Sequence, residues 1–202
     1  MARRLPIIPT VLVLLAVAVM VRLGFWQIDR MHQKNAQIAS YSAAIRERAA
    51  IDSPAFTGLD EGLLYRRVSF TCPKVASWRT TAGRSADNRD GIIHVARCEW
   101  NDGSAAKPHA VEVEAGWSNN PASPSWAGGS VTGIYVPGGL LGYKVVSDQP
   151  LAGLAANARP DPNDLPNNHW SYAIQWFLFA GVALVIYVLA LRKRLAAGPQ
   201  PG

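Results

Sequence analysis

The stretch that decides the architecture is Trp170–Leu191, which reads WSYAIQWFLFAGVALVIYVLAL and holds 22 residues without a charge. At about 1.5 Å per residue such a helix measures roughly 33 Å, the thickness of a bilayer core. A second apolar run, Leu5–Val21, is shorter and reaches across a bilayer only if the helix continues to residue 26. We therefore predict two transmembrane helices, over residues 5–26 and 169–191.

The composition agrees with a membrane protein and argues against nucleic-acid binding. The chain has 202 residues, of which 49% are hydrophobic and 17% charged, whereas soluble proteins average about 25% charged residues. The net charge is +6, but the 14 Lys and Arg between Gln27 and His169 balance the 14 Asp and Glu there. A neutral middle does not offer the clustered cations that phosphate binding needs.

The surplus of positive charge lies at the two ends and predicts an orientation. Its members are Arg3, Arg4, Arg22, Arg192, Lys193 and Arg194. Basic residues beside the ends of a span stay on the cytoplasmic side, so we expect segment 1–4 and tail 192–202 in the cytoplasm. Residues 27–168 are then exported, to the periplasmic side of a bacterial inner membrane. The alternative is a cleaved signal peptide, because Ala16-Val17-Ala18 has the small-residue form of a cleavage site.

The exported part is predicted to be an α+β domain. Residues 29–50 lack Gly and Pro, and Met31, Ile38 and Ile45 recur every seven residues, which predicts a helix that ends at Ser53-Pro54. Apolar and polar residues then alternate in short segments over residues 65–147, with turn clusters between them. We expect five or six strands in a small antiparallel barrel or sandwich. The strand-like segments are 68–72, 91–100, 111–117, 130–136 and 143–147.

The two cysteines lie in the exported domain, where the periplasm is oxidising. Cys72 and Cys98 sit near the ends of predicted strands, on either side of a polar stretch that suits a hairpin loop. We favour a structural disulfide over free thiols. A metal site that adds His94 and His109 is the alternative, although the spacing fits no zinc template.

A candidate ligand site lies where the two spans meet the outer interface. His169, Tyr172 and Trp176 follow at i, i+3 and i+7, so they share one face of a helix. A neutral imidazole can ligate heme iron, and large flat rings can hold a porphyrin. Arg30, beyond the end of the first run, can pair with propionates. No GxSxG, HExxH, P-loop or GxGxxG motif is present, so nothing indicates an enzyme.

The two end motifs resemble the Surfeit locus protein 1 family of cytochrome c oxidase assembly factors. Leu23-Gly24-Phe25-Trp26-Gln27 with Arg30 and Lys34 is similar to the family's LGxWQxxRxxxK, and the segment from Asn168 to Phe177 with the tail Arg192-Lys193-Arg194 is similar to NxHxxYAxxWF…RKR. Gly116-Trp117 matches a GW signature and Tyr65–Val68 a YxxV segment. The chain departs from the family at Ala115, where an Arg is usual, and at Cys72-Pro73, where a Gly is expected.

The resemblance implies a non-enzymatic assembly factor that binds heme a at the outer membrane interface and aids its insertion into the oxidase large subunit. It implies His169 as the ligand of the heme iron, and Trp26, Gln27, Arg30, Tyr172 and Trp176 as pocket or partner contacts. The implied partners are the large subunit, membrane lipid and the enzyme of heme a synthesis. Two alternatives stay open: a cofactor-free protein that stabilises oxidase subunits, and a tethered sensor or redox protein that uses Cys72 and Cys98.

Overall fold

The computed structural model describes residues 6–53, 56, 59–101 and 109–196. The predicted cytoplasmic segment 1–4, Pro54 and the tail beyond Ala196 lie outside these residues. The chain forms two compact units. One consists of Met1–Gln37 with Pro166–Gly202, which we call the helix pair, and the other is Ile38–Leu165, which we call the central domain.

Two long apolar helices agree with the predicted spans. Helix α1 covers Ile7–Ala44 and α2 covers His169–Ala196. Each is long and apolar enough to cross a membrane, and only 6% of its most apolar 18-residue window is buried, unlike a core helix of a soluble protein. Helix α1 ends at Ala44, short of the predicted helix over 29–50. Beyond Ala44 the chain turns more tightly, because the Arg46 and Glu47 amides bond carbonyls only three residues back.

Within the helix pair the two helices run antiparallel, as their cross-contacts show. The ring of Phe177 packs where a side chain on Gly24 would stand, so that a Cβ there would lie 2.7 Å from the ring. Farther along, the hydroxyls of Thr10 and Tyr187 share a hydrogen bond. Thr10 is the one polar residue of the first apolar run, and this bond satisfies its side chain away from water.

The central domain contains a mixed sheet of seven strands among the described residues. Its order is β1-β2-β6-β7-β5-β4-β3. The pairs β1/β2 and β5/β7 are parallel and the other four neighbouring pairs are antiparallel. The strands are β1 Ile51–Asp52, β2 Arg67–Cys72, β3 Val75–Arg84, β4 Asp90–Trp100, β5 His109–Ser118, β6 Gly129–Pro137 and β7 Tyr143–Ser147. The α+β class is confirmed, with more strands than predicted and two parallel pairings.

The sheet curls so that strands far apart in its order come together. Cys72 in β2 and Cys98 in β4 form a disulfide with Cα atoms 5.5 Å apart, although these strands are not neighbours in the sheet. Both cysteines are fully buried. The polar stretch around residue 85 does turn between two paired strands, but these are β3 and β4, with Arg84 opposite Asp90. Cys72 in β2 therefore lies outside this hairpin. The core inside the curl centres on Phe56, which contacts the rings of Phe70, Trp100, Tyr135 and Tyr143.

A buried ion pair fixes the loop between β6 and β7. Glu112 is 2% exposed and receives two hydrogen bonds from the Arg79 guanidinium, at 2.7 and 3.0 Å. The backbone N–H of Leu140 donates a third, at 2.7 Å. Gly139 makes this approach possible, because a Cβ there would lie 2.0 Å from Glu112 Oε2 and its φ is +71°.

Candidate functional site

His169 of the helix pair is held by a side chain of the facing helix. It is the first residue of α2, and its imidazole Nδ1 lies 2.7 Å from Oε1 of Gln27 on α1. A second bond to α1 lies beside it, where Asn167, two residues before α2, donates from Nδ2 to Asn35 Oδ1 at 2.8 Å. The start of α2 is therefore tied to α1 by two amide contacts, which orient the imidazole.

An open cleft lies against this imidazole. Its volume is about 540 Å³, within the range of about 300–1,000 Å³ usual for small-molecule sites. All of its lining residues belong to the helix pair: Arg30, Gln33, Lys34, Gln37 and His169. The four from α1 follow at i, i+3, i+4 and i+7, so they form one polar stripe along the helix.

The cleft carries two positive charges whose partners are neutral amides. Arg30 Nη1 donates to Gln33 Oε1 and Lys34 Nζ to Gln37 Oε1, both at 2.9 Å. Among the ion pairs of the described residues, none includes either cation. The Arg30 guanidinium also lies 5.6 Å from the centre of the Trp26 ring. Such a cleft can bind an anion, since a carboxylate ligand would meet two cations without competing with an acidic side chain.

The structure brings together three of the predicted site residues directly. His169, Gln27 and Arg30 lie at or beside the cleft, and Trp26 adjoins it through Arg30. The other two aromatics do not line it. Tyr172 is half exposed on α2, and Trp176 makes an edge contact with Phe179, with ring centres 6.2 Å apart.

Three lining residues were missed from the sequence as site members. Lys34 is a fixed position of the family motif without a predicted site role, and Gln33 and Gln37 are not fixed positions of it. The signal was present, because Arg30, Lys34 and Gln37 recur at helical spacing beyond the apolar run. Glutamines draw little notice in a sequence because they are common on any solvated helix face.

The alternative metal site of the central domain is not assembled. Cys72 and Cys98 are bonded to each other, so they offer no thiolates. His94 Nε2 bonds Ser118 Oγ and the Asn120 carbonyl, at 2.9 and 3.0 Å, and the His109 ring stacks on Trp100. In the described part of the chain, no three His, Cys, Asp or Glu residues are grouped to hold a metal ion.

The comparisons with known proteins identify the family. Residues 14–181, which include most of α1, the whole central domain and the first 13 of the 28 residues of α2, match the SURF1 family. No curated protein matches the chain. The family's members are non-enzymatic factors for the assembly of cytochrome oxidase. Two candidate membrane-spanning helices flank a central domain, and their outer motifs lie within the matched region. The chain therefore belongs to the SURF1 family of cytochrome oxidase assembly factors.

Proposed function

We propose that this protein binds heme a in the cleft of the helix pair and aids its insertion into the large subunit of a cytochrome c oxidase. The observation that carries the proposal is the meeting of one imidazole and two amide-paired cations in a single cleft. An enzyme of heme a synthesis is the expected donor, and the oxidase large subunit the acceptor.

The residues present fit the chemistry of a heme. A histidine nitrogen is a usual axial ligand of heme iron, so His169 would hold the iron of a bound heme. Arg30 and Lys34 match the charge of the two propionates, because guanidinium and ammonium groups form charge-assisted hydrogen bonds with carboxylates. Trp26 offers aromatic surface beside the cleft, and Tyr172 and Trp176 offer it farther along α2, either for the macrocycle or for an oxidase subunit.

The deciding experiment is an optical spectrum of the detergent-purified protein coexpressed with the enzymes of heme a synthesis. Wild-type protein should carry heme a, and His169→Ala should lose it while it still inserts and folds. The matched control is His32→Ala, which removes an exposed imidazole from α1 outside the cleft lining. That variant should retain the heme.

Two results would overturn the proposal in different ways. Stoichiometric heme on His169→Ala would show that another group ligates the iron. Folded wild-type protein without heme, but copurifying with oxidase subunits, would favour the second candidate, a cofactor-free assembly protein. The half-exposed Tyr172 and the exposed Gln175 on α2 favour that candidate, because polar groups on a lipid-facing helix can bond to another span.

The orientation that goes with this function follows from the charges. Basic residues at 3, 4 and 192–194 would hold both termini on the cytoplasmic side of a bacterial inner membrane. Spans 5–26 and 169–191 would then leave segment 27–168 in the periplasm. Protease added to spheroplasts should cut the central domain, and its complete protection would contradict this orientation.

A further inference from the structure

We infer that Gln27 is a positioning residue, which holds the proton of His169 on Nδ1 and leaves Nε2 with a bare lone pair, on a ring that borders the cleft. The inference about the proton stands on the geometry of the helix pair alone. Its consequence for iron binding rests on the proposed function. Gln27 therefore acts through His169, and its role differs from that of the residues that line the cleft.

The first step is the hydrogen bond itself. The partner of His169 Nδ1 is the amide oxygen of Gln27, 2.7 Å away. An amide oxygen can only accept, so Nδ1 must carry the hydrogen. A neutral imidazole has one ring N–H, and therefore Nε2 keeps its lone pair. That lone pair is what a metal ion binds, so the contact selects the ligating nitrogen before any ligand arrives.

The second step is that both partners are held in place. Gly24 lies one helical turn before Gln27 and receives the Phe177 ring, which brings α1 and α2 close together at this level. Beyond the contact, Asn35 on α1 bonds Asn167, which lies two residues before α2. The Gln27–His169 bond thus lies between a contact of α1 with α2 and a contact of α1 with the residues just before α2, which limits rotation of the imidazole.

The third step is that His169 and Gln27 take different positions relative to the cleft. His169 borders the cleft together with Arg30, Lys34 and their glutamine partners, whereas Gln27 is not among the lining residues. Gln27 therefore holds one ring nitrogen while the imidazole itself faces the cavity. Metal-binding histidines usually donate their second N–H to such a partner, and its loss typically costs about 10–100-fold in metal affinity.

The test determines which ring nitrogen of His169 carries the proton in the ligand-free protein, so it does not depend on heme. Full-length protein labelled with 15N-histidine and held in detergent should show a pyrrole-type nitrogen at His169 Nδ1 and a pyridine-type nitrogen at Nε2. His169→Ala assigns the signals against those of the other three histidines. In Gln27→Leu the preference should be lost, and in Gln27→Glu, which keeps an acceptor at this place, it should persist.

The control is Gln175→Leu, which removes an exposed amide from α2 six residues beyond His169 and should leave both nitrogen signals unchanged. With heme present, Gln27→Leu should weaken retention about 10-fold or more and Gln27→Glu should restore it. Wild-type protein with the proton on Nε2, or a folded Gln27→Leu protein with unchanged signals, would overturn the inference. Absence of heme from wild-type protein would instead overturn the proposed function and leave the proton assignment standing.

Discussion

Positively charged side chains have carboxylate partners in the central domain and neutral amide partners in the helix pair. In the central domain the inner cations pair with carboxylates: Arg79 bonds Glu112, Lys144 bonds Glu114 and Arg67 bonds Asp148. In the helix pair, Arg30 and Lys34 bond only the amides of Gln33 and Gln37 among their described contacts. The first arrangement neutralises charge within the fold, and the second leaves charge available to a ligand.

The difference separates structural residues from candidate functional ones. When one member of an ion pair such as Arg79–Glu112 is removed, the charge of the other is left without a partner in a medium of low dielectric constant, which destabilises the fold. An amide-paired cation at an open cleft has no such dependence, since its partner stays neutral. Stability should therefore depend on the charges of the central domain, and ligand binding on those of the helix pair.

The largest effect should come from the covalent link that only the central domain has. Replacing Cys72 and Cys98 together by Ala removes a cross-link that spans 26 residues. Loop entropy predicts a loss of about 3.5 kcal/mol in the free energy of unfolding. Denaturant titration of the detergent-purified protein, followed by tryptophan fluorescence, measures this loss.

Reductant supplies the control for the disulfide. Wild-type protein refolded with reductant should fall to the stability of the double variant, whereas the variant itself should not respond to reductant. A double variant within about 1 kcal/mol of wild type would show that the link between β2 and β4 adds little to the packing around it.

A somewhat smaller loss is expected from Arg79→Met, which leaves the Glu112 carboxylate buried without its cation. Breaking a buried pair in this way costs about 3 kcal/mol. The same titration measures the loss, and Arg79→Met combined with Glu112→Gln should recover part of it. If the double variant is as unstable as the sum of the single variants, the two side chains do not act as a pair.

The pH dependence gives a second view of this pair. Burial raises the pKa of Glu112, but the Arg79 hydrogen bond, the Leu140 N–H and the Arg79 charge outweigh it, so the folded pKa lies below the ordinary 4.5. The pair therefore stabilises the fold above that pH, and the contribution is lost as the pH falls through the folded pKa. In Arg79→Met burial raises the pKa, so the deficit of this variant should shrink in acid.

The smallest effect on stability should follow from Arg30→Gln and Lys34→Gln in the helix pair. Each should change the free energy of unfolding by less than about 0.5 kcal/mol, because no carboxylate is stranded. Heme retention in the optical assay should nevertheless fall. Arg84→Gln, an exposed cation of the β3–β4 hairpin paired with Asp90, is the control that should retain heme. A large loss of stability in the two cleft variants would contradict the comparison.

Most of the strands were predictable, and the exceptions have a physical reason. Strands β2, β4, β5, β6 and β7 match the predicted segments closely, because their apolar residues alternate with the pleat. Strand β3 was missed, since much of Val75–Arg84 is exposed and its sequence does not alternate. The two-residue strand β1 and the parallel pairing of β5 with β7 depend on partners distant in the chain, which a local pattern does not reveal.

The candidate site was likewise predictable from the sequence only in part. The end motifs predicted that His169, Gln27 and Arg30 belong to one site, and the structure brings these side chains together. They did not distinguish Trp26, beside the cleft, from Tyr172 and Trp176, which do not line it. Helical spacing places side chains on a face, but the direction of each ring depends on what it packs against. Trp176 packs on Phe179, a neighbour on its own helix.

By itself the sequence determined the two long apolar runs, the neutral middle segment and the alternating strands, because hydrophobic length and periodicity are local properties of the chain. Only the tertiary structure decided that Cys72 reaches Cys98 across the curl of the sheet, and that the Gln27 oxygen meets Nδ1 of His169. Both contacts join residues distant in sequence, and their geometry depends on how closely two elements pack. The partner of the His169 imidazole is therefore a property of the helix pair and of neither helix alone.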